Sequence, residues 1–241
     1  MRKLPDKIQP KNRVQLVQLI NYAFKHKQYD LNFIDTSKIT DMSYLFDNVN
    51  HNFDISCWDV SNVTNTEFMF DCCFEFKGKG LENWDVSNVT NMRHMFGGCK
   101  NFNCDLSNWD VSNVIDMSHM FYCCKNFDIN CFKSWDVSNV TDMTHMFSCC
   151  NNFEGKGLEH WNISNVIKTS NMFHGCHNFN CDLSKWNVSN IYDTCEMFKE
   201  CKNFEAKGLE NWNLEKIIFC YDMFYGCDKI TIPKWYKKYN F

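Results

Sequence analysis

Trp84-Asp85-Val86-Ser87-Asn88-Val89 returns at Trp109-Asp110-Val111-Ser112-Asn113-Val114, and in softened form at Trp186-Asn187-Val188-Ser189-Asn190-Ile191. The tryptophan that opens it recurs every 25 or 26 residues, at Trp58, Trp84, Trp109, Trp135, Trp161, Trp186 and Trp212. A fixed period of this length is the signature of a solenoid, in which each repeat is one coil that buries its apolar side against its neighbours. Such a fold offers long, regular faces and no enclosed catalytic pocket. The pattern therefore points to a binding scaffold rather than an enzyme.

Within one coil the hydrophobic period changes. Leu106, Trp109 and Val111, followed by Val114, match the leucine-rich spacing, and Trp109 to Ser112 alternates as a short strand with one buried face should. Asn113 then reads as a helix N-cap, with Asp116 three residues later in a capping-box position. Val114, Met117, Met120, Phe121, Cys124 and Phe127 follow at helical spacing. Turns close the coil, either at Gly78 to Gly80 and Gly155 to Gly157 or at Asn103 to Asp105 and Asn180 to Asp182. The expected fold is an α/β repeat solenoid, leucine-rich-repeat-like, with one short parallel strand and one short helix per coil, and about eight coils.

The array has ends. Residues 11–27 read as an amphipathic helix with Val14, Leu16, Val17, Leu19, Ile20, Ala23 and Phe24 on its apolar stripe, the core of an N-terminal cap over 1–33. The solenoid is expected over 34–227, its first coil carrying Ile34 in the tryptophan's place. Residues 228–241 read as a capping tail in which Pro233 blunts the open edge.

Formal net charge of −4 and a pI near 6.0 argue against nucleic-acid binding and against adsorption to anionic lipid. No apolar run reaches the ~18 residues that a membrane span requires. Seven of the sixteen cysteines (Cys73, Cys99, Cys124, Cys150, Cys176, Cys201 and Cys227) each lie fifteen residues after a repeat tryptophan. A position that recurs once per coil is a packing position, where free cysteine acts as a small buried hydrophobe. The start of the sequence has no apolar stretch behind its positive charges, so reduced thiols and a cytoplasmic location are expected.

The run Trp135-Asp136-Val137-Ser138-Asn139-Val140-Thr141-Asp142-Met143, continuing to Met146-Phe147 and Cys150, resembles the BspA-type leucine-rich-repeat surface proteins. It is most similar to the variant with repeats of about 25 residues that also occurs in mycoplasma lipoproteins. Asp30 to Met42 resembles the start of such an array, so the likeness covers nearly everything from about residue 30. It implies adhesion or protein binding, often at a bacterial surface, and carries over no catalytic residue. From the residues given, the signal peptide, lipobox cysteine and anchor of that family are not expected.

On the expected strands tryptophan and valine point inward, which turns Asp59, Asp85, Asp110 and Asp136 outward, followed in column by Asn162, Asn187 and Asn213. Ser87, Ser112 and Ser138 form the next outward column. These two columns are the candidate partner-binding residues, an acidic, hydroxyl-rimmed stripe for a basic partner. The competing reading has the same side chains capping local backbone turns. The asparagines Asn62, Asn88, Asn113, Asn139, Asn165 and Asn190 read as backbone caps, and the phenylalanines Phe70 to Phe224 as a core column. His94, His119 and His145 share one column and are the sharpest metal candidates, but stacked side chains are collinear where zinc needs tetrahedral convergence. No metal and no cofactor is expected. The expected function is non-enzymatic binding of a protein or other macromolecule. The alternatives are a thiol-rich metal-binding or redox protein, and a surface-displayed adhesin.

Overall fold

The computed structural model describes residues 7–127 and 132–239. One α-helix, α1 (Arg13–Lys25), stands at the front. Asn12 caps it, its Oδ1 accepting from Gln15 N at 3.1 Å, and the helix buries Leu16, Ile20 and Ala23. Val14, placed on the apolar stripe by spacing, is 64 % exposed instead.

Behind α1 the chain forms a stack of coils joined by parallel backbone bridges. They run from Asp41 to Asn65, Asn91, Asp116, Asp142, Lys168, Asp193 and Phe219. The register is fixed by a strict division of labour among backbone donors. In one coil Met92, His94, Phe96 and Gly98 donate forward to the carbonyls of Asp116, Ser118, Met120 and Tyr122 in the next, at 2.6–3.0 Å. The residues between them close turns within the coil: Met95 N to Met92 O, Gly97 N to His94 O, Cys99 N to Phe96 O. Every N–H of this segment is thus paired, half locally and half across coils. From each bridge onward the ladder donors lie on the earlier coil, whereas the residue before the bridge donates back, as Thr90 N does to Thr64 O at 2.9 Å. The first rung's open carbonyls meet α1, where the Arg13 guanidinium donates to Ser43 O.

The expected strand and helix are both corrected here. Among the described residues no coil contains an extended strand or an α-helix; the inter-coil pairing lies in the segment read as helical, and it is built of turns. At Trp109–Ser112 the backbone donors are consumed locally: Trp109 N by Leu106 O, Ser112 N by Asp110 Oδ1, Val114 N by Val111 O. Short polar side chains competing for the backbone in this way prevent strand pairing. The helix fails because His119 and Cys123 take positive φ, 58° and 57°, a conformation that no right-handed helix contains. Asn113 is no N-cap; its Nδ2 donates to Ser87 O of the previous coil at 2.8 Å. Short 3₁₀ turns precede several tryptophans, at Leu81–Asn83, Phe132–Ser134, Leu158–His160 and Leu209–Asn211. Three of the four are entered through a left-handed glycine, Gly80, Gly157 or Gly208.

The core is a set of columns. Phe46, Phe70, Phe96, Phe121, Phe147, Phe173, Phe198 and Phe224 stack ring on ring, with centroids 5.5–5.9 Å apart. Polar groups inside it are satisfied one coil back. The indole of Trp109 donates to Leu81 O at 2.8 Å and that of Trp186 to Leu158 O at 2.8 Å. The recurring thiols do the same: Cys99 Sγ to Phe70 O at 2.9 Å, Cys124 to Phe96 O at 3.0 Å, Cys150 to Phe121 O at 3.0 Å. Trp84 is the exception, with a buried indole N–H that has no partner.

Candidate interaction face

The turn ladder presents a face on which side chains stand in columns one coil apart. Its central column holds Tyr44, Phe68, His94, His119 and His145, then Asn171, Glu196 and Asp222, all with φ between 51° and 58°. The first five are rings in a continuous stack, with centroid separations of 4.8, 4.4, 4.3 and 4.6 Å and planes within 20° of parallel. A bulky residue in the left-handed region costs about 1–2 kcal/mol. Each stacked pair returns about 0.5–1.5 kcal/mol, so the stack roughly offsets the strain of its own backbone.

Charge is distributed unevenly along the same face. Arg93 pairs with Glu67 at 3.1 Å, and its guanidinium lies 5.4 Å from the Phe68 ring centre. Lys168 pairs with Asp142 at 3.3 Å, and Lys199 bridges Glu196 and Asp222 at 3.2 and 3.3 Å. A shallow groove runs between these columns, lined by Arg93, Asp116, His119, Asp142, Lys168 and Asp193 among others.

Two imidazoles of the stack, His119 and His145, resist protonation. Burial, then the charges of His94 and His145, then Arg93, press His119 down to about 3. Burial and the charge of His174 lower His145 as well. The Nδ1 atoms of both rings are buried without a hydrogen-bond partner. Because the rings lie face to face, their nitrogens do not converge, and among the described residues no group of three His, Cys, Asp or Glu is placed to hold a metal ion.

The aspartates and serines singled out in the sequence lie elsewhere in each coil, at the corner that follows the tryptophan. Asp59, Asp85, Asp110 and Asp136 are exposed, and each Oδ1 accepts from the backbone N of the serine two residues on, at 3.0–3.1 Å. Ser61 and Ser87 add their hydroxyls to the same oxygens at 2.6 Å. For Asp110 these bonds from Ser112 hold the carboxyl below its ordinary range. Ser87, Ser112 and Ser138 in turn give their carbonyls to Asn113, Asn139 and Asn165 of the next coil. The structure therefore brings the corner columns together as a backbone-locking row and gathers the ring column on the ladder. Sequence reading found the three histidines and, in the neighbouring coils, Phe68 and Asn171 at the same position, which it took for a variable solvent position; it found neither the stack nor its extension to Tyr44. The signal was there, since stepping back 26 and then 24 residues from His94 reaches Phe68 and Tyr44.

The repeat itself decides the relationship. A model of the family described as "Mycoplasma protein of unknown function, DUF285" matches residues 14–132, 40–156 and 124–235, overlapping segments that together run from α1 to Trp235. The chain belongs to this family. No curated protein matches it. For this DUF285 chain the overlapping matches follow from the structure, because a coil is defined only by its neighbours and any window of several coils satisfies the same pattern. Among its described residues no helix is long and apolar enough to cross a membrane.

Proposed function

We propose that this DUF285 chain is a non-enzymatic protein-interaction scaffold that reads its partner with the turn-ladder face. The observation that carries this reading is where the coils differ. At the corner, Asp, Ser and Asn recur with little change, and their polar atoms are engaged in turns and inter-coil bonds. On the ladder the backbone is as regular, yet one column runs from tyrosine through phenylalanine and histidine to asparagine, glutamate and aspartate. A rigid backbone with changing side chains at fixed spacing suits recognition of an extended protein surface. The ring-rich half offers flat, partly apolar anchors, and the Lys168 to Asp222 half offers charge.

The BspA-type reading of the repeat supports the same conclusion. The buried column Leu81, Leu106, Phe132, Leu158, Leu183 and Leu209, each three residues before a tryptophan, fits a leucine-rich-repeat relationship. Proteins of that type bind other proteins, often at a cell surface.

The test is affinity capture from lysate of the source cells, comparing wild type with two folded variants. One carries Arg93→Glu, His119→Asp and Lys168→Glu on the ladder; the other carries Asp85→Lys, Asp110→Lys and Asp136→Lys at the corner. A partner lost only by the ladder variant supports the reading. Loss only by the corner variant moves the site to the aspartate column, and equal retention by both rejects the ladder face.

A further inference from the structure

We propose that Cys123 and Cys149 form a peroxide-reactive dithiol that closes to a disulfide between adjacent coils. This goes beyond the scaffold reading and does not rest on it.

The two cysteines occupy the same ladder position on consecutive rungs, with Cys123 N donating to Ser148 O at 2.8 Å. Parallel rungs lie about 4.8 Å apart, inside the span of about 4.4–6.8 Å that a disulfide bridges between Cα atoms. The two side chains are close enough to shift each other's acidity, and Ser148 Oγ lies 3.9 Å from Cys149 Sγ. Both are partly exposed, in contrast to Cys124 and Cys150 beside them, whose thiols are sealed in the core against carbonyls. The far side of Cys149 faces Gly175, so the sulfur has no side chain from that rung against it.

The pair also sits where the backbone would favour something else. Cys123 and Cys149 have φ of 57° and 62°, and other coils fill this left-handed column with Gly98, Gly175 and Gly226 or with Asn48, Cys72 and Glu200. A side chain here carries strain that glycine avoids. Cys72 shares the column, but its neighbour on the next rung is Gly98, so it has no thiol to join. Electrostatics separates them further. The Cys123 hydrogen bond, with help from Ser148, His174 and Lys125, draws Cys149 down to about 6 against the effect of burial. Donating that bond, together with burial, pushes Cys123 up. Burial and Asp71 push Cys72 up to about 11.

The chemistry balances with a hydroperoxide as oxidant. The Cys149 thiolate attacks the terminal peroxide oxygen, the O–O bond breaks, and hydroxide leaves from hydrogen peroxide, or alkoxide from an organic hydroperoxide, forming a sulfenic acid. Cys123 sulfur then attacks Cys149 sulfur, the S–O bond breaks, and the Cys123 proton leaves with that oxygen as water. Two thiols are oxidised and one peroxide is reduced.

The experiment treats the full reduced chain with one equivalent of hydrogen peroxide at pH 7, followed by thiol counting and peptide mapping. The expected result is loss of two thiols per chain, recovered by dithiothreitol, with a linked pair containing Cys123 and Cys149. Cys149→Gly should slow thiol loss at least about ten-fold, since the thiolate is the nucleophile. Cys123→Gly should stop at a sulfenic acid captured by a dione probe. Glycine is the residue of other coils at this position, so both variants keep the fold. Wild-type rates in Cys149→Gly, or oxidation of wild type without that linked pair, would overturn the proposal.

Discussion

Asn139 Nδ2 donates to the carbonyl of Ser112, one coil earlier, at 2.7 Å. The same bond joins Asn62 to Ser37, Asn88 to Ser61, Asn113 to Ser87, Asn165 to Ser138 and Asn190 to Ser164, at 2.7–2.9 Å. The recurrence of this asparagine in six successive coils is that of a rivet. Only a short side chain with an N–H donor reaches that carbonyl.

Removing one rivet has a measurable cost. Asn139→Ala should destabilise by about 1 kcal/mol, the usual net value of one such hydrogen bond. Asn139→Asp should cost more, because a carboxylate cannot donate to Ser112 O. Urea titration of the two variants checks this, and equal stability of the aspartate and alanine forms would contradict it.

The buried thiols make a sharper case. Cys150 is fully buried and its Sγ lies 3.0 Å from Phe121 O. Cys150→Ala removes one of the two bonds to Phe121 O, which keeps that from Cys124 N, and should cost about 1 kcal/mol. Cys150→Ser keeps a donor and should lose less, an order that chemical unfolding of the reduced proteins reads directly.

Acid should loosen the ladder through its histidines. The unfolded chain binds a proton at His119 near pH 6.5, while the folded chain resists until about 3. Between those values the unfolded state holds more protons, so stability is full above 6.5 and falls as pH drops toward 3. Lowered carboxylates such as Asp35, Asp54 and Asp110 act in the same direction only in stronger acid. His119→Phe, which copies Phe68 in the same column, should therefore flatten the melting-temperature profile between pH 6.5 and 5. An unchanged slope would remove His119 from the account.

Backbone contact between coils sets a fourth expectation. Gly208 has φ of 82°, and a Cβ there would lie 2.3–2.5 Å from Cβ, Cα and N of Ser184. Two of those atoms are backbone and cannot step aside. Gly208→Ala should cost more than about 2 kcal/mol, well beyond an ordinary glycine-to-alanine change. A melting temperature equal to that of wild type would show that the coils can part at this point.

The columns were legible in the sequence and the backbone was not. Trp109, Phe121 and Cys124 are buried as their period requires, because burial follows from recurrence alone. The same period fits a helix or a train of turns. What separates them is the left-handed conformation at His119 and Cys123, which no propensity of histidine or cysteine announces. The aspartates at 85 and 110 were legible both as exposed and as caps of local turns, and the two-residue bonds from Ser87 N and Ser112 N show them capping. The two thiols were visible as vicinal Cys-Cys pairs one period apart, and the recurrence of Cys124 and Cys150 already placed the second member of each inside; the left-handed backbone of Cys123 and Cys149 was not legible.

The unequal pairing of the ladder gives the two sides of every coil different chemistry. The forward side offers a row of backbone N–H groups, as Met92, His94, Phe96 and Gly98 do, together with the carbonyls that the next coil's threonine N–H, asparagine and indole donors reach. The rear side offers the carbonyls that the row of N–H groups needs. A cut between coils therefore leaves two unlike fragments. A guanidinium can cover ladder acceptors on the rear one, as Arg13 covers Ser43, whereas the front one keeps orphan ladder donors, the costlier kind to bury.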